Sequence, residues 1–186
     1  MKKTFAVILL ISLILLGAAF GLKNVTKNIT QKKHVELMET LLPDGKDFLK
    51  VNYTGDDEII RSVHKANNGY VIETVTYGYA DEITMLIGVD NDGVVTGLVV
   101  YEAHETFGLG NNILTDHVFL SNFLNKTGIF SIGTSGTNVD PDGKEININA
   151  ITGATVSSKA VTRCVNSAVA YVTGADIQSS ATTWGG

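Results

Sequence analysis

GYVIETVTYGYADEITMLIGVDNDGVVTGLVVY, residues 69–101, decides the fold class. Gly69 to Tyr79 is rich in β-branched and aromatic residues, which suit a pleated, half-buried surface. Ile83 to Val89 and Val94 to Tyr101 are two further apolar runs of strand length. Between them stands Asp90-Asn91-Asp92-Gly93, a turn sequence with Asp-Gly at its end, and this predicts a β-hairpin. The same four residues faintly resemble a calcium loop, but the bidentate Glu that such a loop needs downstream is missing at the required spacing.

Outward from this core, Ile59 to Ala66 predicts a strand on the N-terminal side, and Ile146 to Ile151 a short one on the C-terminal side. Leu114 to Leu124 has a helical pattern through Leu114, Val118, Phe119 and Phe123. The clearest helix is Thr155 to Val172, where Val156, Ala160, Val161, Cys164, Val165, Ala168, Val169 and Val172 recur with the 3.6-residue period. Lys23 to Leu42 reads as a helix ending before the turn signal Pro43-Asp44-Gly45. Strands and helices that do not alternate as βαβ units point to α+β: a mostly antiparallel sheet with flanking helices, in one domain.

The chain begins differently. Phe5 to Leu22 carries no charge and is long enough to span a bilayer. Lys2 and Lys3 before it favour an orientation with residues 1–4 in the cytoplasm. Gly17, Ala18 and Ala19 would also suit a cleavage site. The expectation is an uncleaved single-pass anchor over 5–22, a connecting helix over 23–45, an extracytoplasmic domain over 46–175 and a flexible tail over 176–186. The formal net charge of −5, with no basic patch, argues against general nucleic-acid binding. The single cysteine, Cys164, excludes an intramolecular disulfide and falls on the apolar helical face, so it reads as a buried core thiol.

Two segments offer chemistry. The first is Thr152-Gly153-Ala154-Thr155, where a strand gives way to the last helix. The N–H groups of Val156, Ser157 and Ser158 lack intrahelical partners there and sit at the positive end of the helix dipole, a natural place for an anion. Gly153 and Ala154 carry little bulk, and Lys159 lies one turn into the helix. Two readings stay open: Thr155 is an ordinary N-cap worth about 1 kcal/mol, or its hydroxyl serves a bound phosphate. The second segment is YEAHETFGLGNNI, residues 101–113, directly after the hairpin. His104, Glu105 and Thr106 precede Gly108, Leu109 and Gly110, a loop able to offer backbone N–H groups to a planar ligand. It is not a dinucleotide fingerprint, because only G-x-G is present. As a metal site it offers one His and two Glu, a weak set.

Together and in this order, the two segments resemble a known family. HETFGLGNNI is similar to the H-x-E-T-P-G-L-G segment of covalent FMN-binding domains, and NAITGATVSSKAV is similar to their D-x-x-[S/T]-G-A-[T/S] flavin-attachment motif. The resemblance runs from about Leu41 to Val172. It is strongest to the G subunits of Rnf-type ion-translocating electron-transport complexes, with the C subunits of sodium-translocating NADH:quinone oxidoreductases similar but usually longer. It implies FMN joined by a phosphoester to Thr155 Oγ, installed from FAD by a separate flavin transferase with magnesium and release of AMP. Thr152 would be a neighbouring hydrogen-bonding hydroxyl. Gly153, Ala154, Val156 and Lys159 would line the attachment point, and His104, Glu105, Thr106, Gly108, Leu109 and Gly110 would lie along the flavin. No residue is then an acid or base catalyst; the chain would be an electron-transfer subunit, with other redox subunits of a membrane complex as partners. The alternatives are a free-standing FMN-bearing carrier that feeds an extracellular reductase and a non-redox binding or adaptor domain. Asn149 stands where the family motif has Asp, and Phe107 where the loop has Pro.

Overall fold

The structure is a computed structural model, and it describes residues 32–103, 116–133 and 145–175. The anchor at 5–22, the loop at 104–110 and the tail lie outside the described residues. The chain divides into two compact units, the second being Met38–Gly186.

Helix α1 covers residues 32–41. Its last turn, from Met38, belongs to the second unit. Met38, Leu41 and Leu42 fall on one helical face and are buried. The helix stops there because Leu42 precedes Pro43, which disfavours helical backbone, and Asp44 takes a positive φ of 64°.

Five strands follow: β1 Leu49–Val51, β2 Ile60–Lys65, β3 Gly69–Tyr77, β4 Glu82–Asp90 and β5 Val95–Ala103. They form one antiparallel sheet in sequence order. The predicted hairpin is present. Asp90 Oδ1 accepts the N–H groups of Asp92 (3.0 Å) and Val94 (2.8 Å), and Gly93 holds a φ of 81°. The acid therefore shapes its own turn. β4 lies between β3 and β5 and is buried at every position from Ile83 to Val89, since both its faces are covered. On one face, Gly88 and Gly97 pair across β4 and β5 and let the backbone of Leu41 press onto the sheet; a Cβ at either position would collide with it. Thr96 Oγ1 donates to the Leu41 carbonyl at 2.7 Å and fixes that contact.

Helix α2, His117–Ser121, is one short turn capped by Asp116, which accepts from Phe119 N–H at 2.9 Å. It corrects the longer helix expected over Leu114 to Leu124; residues 114 and 115 lie outside the described residues. Phe119 and Phe123 are buried as expected, but Val118 is 76% exposed. Phe119, Phe123 and Phe130 stack edge to face at 5.4 and 5.1 Å. β6, Ile129–Gly133, pairs in parallel with β7, Glu145–Asn149. This second, parallel sheet was not expected, nor was β1.

Helix α3, Thr155–Thr173, ends at Gly174 in the left-handed region (φ 69°). It is not a flanking helix. Ile72, Ile83, Met85, Ile87 and Cys164 share one core with Ala160, Val161, Val165 and Ala168. On its far side Asn166 reaches β6: its Oδ1 accepts from Phe130 N–H (2.9 Å) and its Nδ2 donates to the Phe130 carbonyl (2.8 Å). α3 is thus packed between two sheets, which explains its small residues and its buried Ser157, Thr162 and Ser167. The fold is α+β with a mostly antiparallel sheet, as expected. Among the described residues no helix is long and apolar enough to cross a membrane.

Candidate functional site

The site is built where β7 turns into α3. Ile151 to Ala154 is a four-residue turn, closed by Ala154 N–H donating to the Ile151 carbonyl at 2.9 Å. Gly153 has a φ of 80° while Thr152 does not have a positive φ, the pattern of a type II turn that requires Gly in third place. The glycine of the motif is therefore a backbone requirement.

The structure corrects the capping reading. The N-cap is Ala154, with φ −131° and no side-chain cap bond, and Thr155 is the first residue inside the helix. An alanine has nothing to offer the helix N–H groups. Thr155 is exposed, so its hydroxyl is left for other use. The first turn of α3 carries no acidic residue, so none of its own side chains offsets the positive dipole end. Thr152 and Gly153 are also exposed, Ala154 is buried and Val156 is half-buried. Lys159, exposed, lies one turn on along the Thr155 face.

The Ser158 N–H, expected to be free for an anion, donates instead to the Ala154 carbonyl at 2.9 Å; two side chains that the sequence did not single out support this end. Ser158, fully buried, accepts from Ile151 N–H at 3.1 Å and donates to the Ala154 carbonyl at 2.8 Å. Arg163 continues the line of Thr155 and Lys159 at four-residue spacing. One of its guanidinium nitrogens donates to the Tyr77 carbonyl at 3.3 Å, while its Nε is buried with no partner among the described residues. Cys164 is buried against the sheet, and burial pushes its thiol up to about 12, with the Thr74 hydroxyl and the Arg163 charge acting against that rise. It is a core residue.

Topology relates this end to the glycine loop. Tyr171, near the C-terminus of α3, meets Tyr70 at the start of β3, their ring centres 5.6 Å apart. A Cβ on Gly93, in the β4–β5 hairpin, would collide with the Thr173 methyl. Arg163 reaches the end of β3. The helix therefore runs antiparallel to β3 and β5. It is about 28 Å long and β5 about 30 Å, so Thr155 lies at the end where β5 finishes at Ala103, opposite Ile83. Ala103, at that end, is the last described residue before the glycine loop. His104, Glu105, Thr106, Gly108, Leu109 and Gly110 themselves lie outside the described residues.

The model of the FMN-binding domain family matches residues 78–170, from the β3–β4 turn to the last turns of α3. One relative, the G subunit of a proton-translocating ferredoxin:NAD(+) oxidoreductase complex from Clostridium ljungdahlii, is 32% identical over 175 residues, covering 92% of this chain and 89% of the relative. The chain belongs to the FMN-binding domain family. The G subunit of an ion-translocating oxidoreductase complex from Methanosarcina acetivorans is 31% identical over 78% of both chains. For a sodium-translocating counterpart from Acetobacterium woodii the identity is 37%, over 54% of this chain and 47% of the relative. The crystal structure of the C subunit of a sodium-translocating NADH-quinone reductase from Parabacteroides distasonis superposes with a TM-score of 0.53 at 21% identity, covering 69% of this chain and 77% of that one. That likeness concerns the fold alone.

The residues present fit an FMN-binding domain. A phosphate needs donors and a positive potential, and the uncapped helix start with Lys159 beside it supplies both. An exposed hydroxyl on the first helical residue stands within that field.

Proposed function

We propose that this chain is the G subunit of an Rnf-type ion-translocating oxidoreductase complex. It carries FMN as a phosphoester on Thr155 Oγ and passes electrons between other redox subunits. Residues 5–22 anchor it in the membrane, and the domain lies outside the cytoplasm. The observation that carries the reading is the state of Thr155: an exposed hydroxyl on a helix whose cap is an alanine. The names of the G-subunit relatives support the complex.

FMN, when bound, supplies the redox chemistry. The chain's own residues bind and orient it. The N–H groups of Thr155 and Val156, at the start of the helix, have no intrahelical partner and would donate to a phosphate ester on Thr155. Lys159 adds positive charge on the same face. Gly153, through its positive φ, makes the turn that leads into Thr155, which is exposed. His104 to Gly110, which follow Ala103 in the sequence, would cover the flavin ring.

The test is covalent flavin after denaturation, read as in-gel fluorescence from protein made together with a flavin transferase. Thr155→Val is expected to fold, by circular dichroism, and to carry no flavin. Thr155→Ser and Thr152→Val keep some, because each retains a hydroxyl at position 155. Fluorescence persisting in folded Thr155→Val would place the bond elsewhere and overturn the reading.

A further inference from the structure

The turn that presents Thr155 is held by a side chain from the helix it opens. Ile151 and Ala154 are the first and last residues of that turn. The Ser158 hydroxyl touches both, accepting from Ile151 N–H at 3.1 Å and donating to the Ala154 carbonyl at 2.8 Å. Serine in a helix commonly donates to the carbonyl four residues back. Here the oxygen also takes an N–H seven residues upstream, outside the helix. Thr162 shows the plain form: its Oγ1 donates to the Ser158 carbonyl at 2.9 Å. Both hydroxyls are buried in the same helix, but only that of Ser158 ties the turn.

We propose that Ser158 is a positioning residue for flavin attachment: its hydroxyl locks the Ile151–Ala154 turn so that Thr155 Oγ is held in one orientation. This rests on the reading of Thr155 as the acceptor. In the attachment step the Thr155 Oγ–P bond forms to the FMN phosphorus of FAD. The pyrophosphate P–O bond to the AMP half breaks, AMP leaves with the bonding pair, and the hydroxyl proton passes to a base of the flavin transferase. Such a displacement needs the oxygen in line with the leaving group. Misplacement of about 1 Å costs on the order of a hundredfold in rate. With Ser158 gone, Ile151 N–H loses its partner and the turn swings about Gly153, which has no Cβ to restrain it.

The full-length chain, in detergent, is incubated with flavin transferase, FAD and Mg²⁺, and covalent flavin is followed by fluorescence after denaturation, at varied acceptor concentration. Ser158→Ala is expected to lower the maximal rate by roughly tenfold or more, with little change in the KM for the acceptor chain. Thr162→Ala, which deletes a buried hydroxyl of the same helix without touching the turn, is expected to attach flavin at the wild-type rate. Thermal midpoints of both variants are measured alongside. Wild-type kinetics in Ser158→Ala overturn the proposal. So does an equal loss in Thr162→Ala, which would mark a general stability effect. If the wild-type chain takes flavin at a residue other than Thr155, the acceptor reading itself has failed and this proposal falls with it.

Discussion

Gly153 holds a φ of 80° in the turn before Thr155. A side chain in left-handed backbone costs about 1–2 kcal/mol, so Gly153→Ala is expected to lower the Tm by roughly 2–8 °C, measured by circular dichroism. Cys164 makes a different prediction. Burial raises its thiol from 9.0 to about 12, so between those values the unfolded chain has lost a proton that the native chain keeps. Its contribution is fully present below pH 9 and declines as pH rises through the window to 12. Urea midpoints taken across that window are expected to fall. The same burial predicts that a thiol reagent at pH 8 modifies Cys164 only in denaturant; prompt labelling of the native chain would contradict its placement. Its buried position was readable from the helical period alone. The cap was not: Thr155 is the natural candidate by residue type, and the backbone chooses Ala154. Ser158 was equally hidden, because its bond to Ile151 spans seven residues through a turn that no periodicity describes.

Among the elements, strands with strong local patterns were readable and those defined by distant partners were not. β3, β4 and β5 were anticipated within a few residues, because β-branched runs flank an Asp-Gly turn. β1 has three residues and exists as a strand through its pairing with β2. β6 is held by its parallel partner and by Asn166 of α3, 36 residues away in sequence. That gives Asn166 a measurable weight. Asn166→Leu leaves both the N–H and the carbonyl of Phe130 without their buried partner, at about 1–3 kcal/mol for each group. The expected result is a lower urea midpoint together with faster amide exchange in β6 than in β3. Equal protection of both strands would show that Asn166 does not hold the second sheet. On the opposite face of the large sheet, Gly88→Ala drives a Cβ into the Leu41 carbonyl. It is expected to shift the end of α1 off the sheet and to expose Met38, with a loss of stability in the usual overpacking range of about 1–3 kcal/mol.

The whole chain combines an apolar N-terminal stretch, outside the described residues, with a domain in which every described residue of the candidate site follows Met38. Thr155, Ser158, Lys159 and Arg163, and the sheet ends beside them, all fall in the unit Met38–Gly186. If residues 5–22 are an anchor, location and flavin attachment separate by truncation. The full-length chain is expected in the membrane fraction with its N-terminus intact. A chain lacking residues 1–31 is expected in the soluble fraction, folded, and able to take covalent flavin from the transferase. A deeper cut has another outcome. Starting at Pro43 removes Met38, Leu41 and Leu42, all buried against the sheet, and the Thr96–Leu41 hydrogen bond. Fully burying side chains of this size contributes about 1.5–3 kcal/mol each, a large share of the roughly 5–15 kcal/mol that holds a domain together. The shorter chain is therefore expected to melt at far lower temperature, or to aggregate through the uncovered face of β3–β5. N-terminal sequencing and fractionation read the first half of this prediction. A mature chain beginning shortly after Ala19 would mean a cleaved signal in place of an anchor. Thermal melts of the two truncations read the second half, and equal midpoints would show that the last turn of α1 is dispensable to the fold.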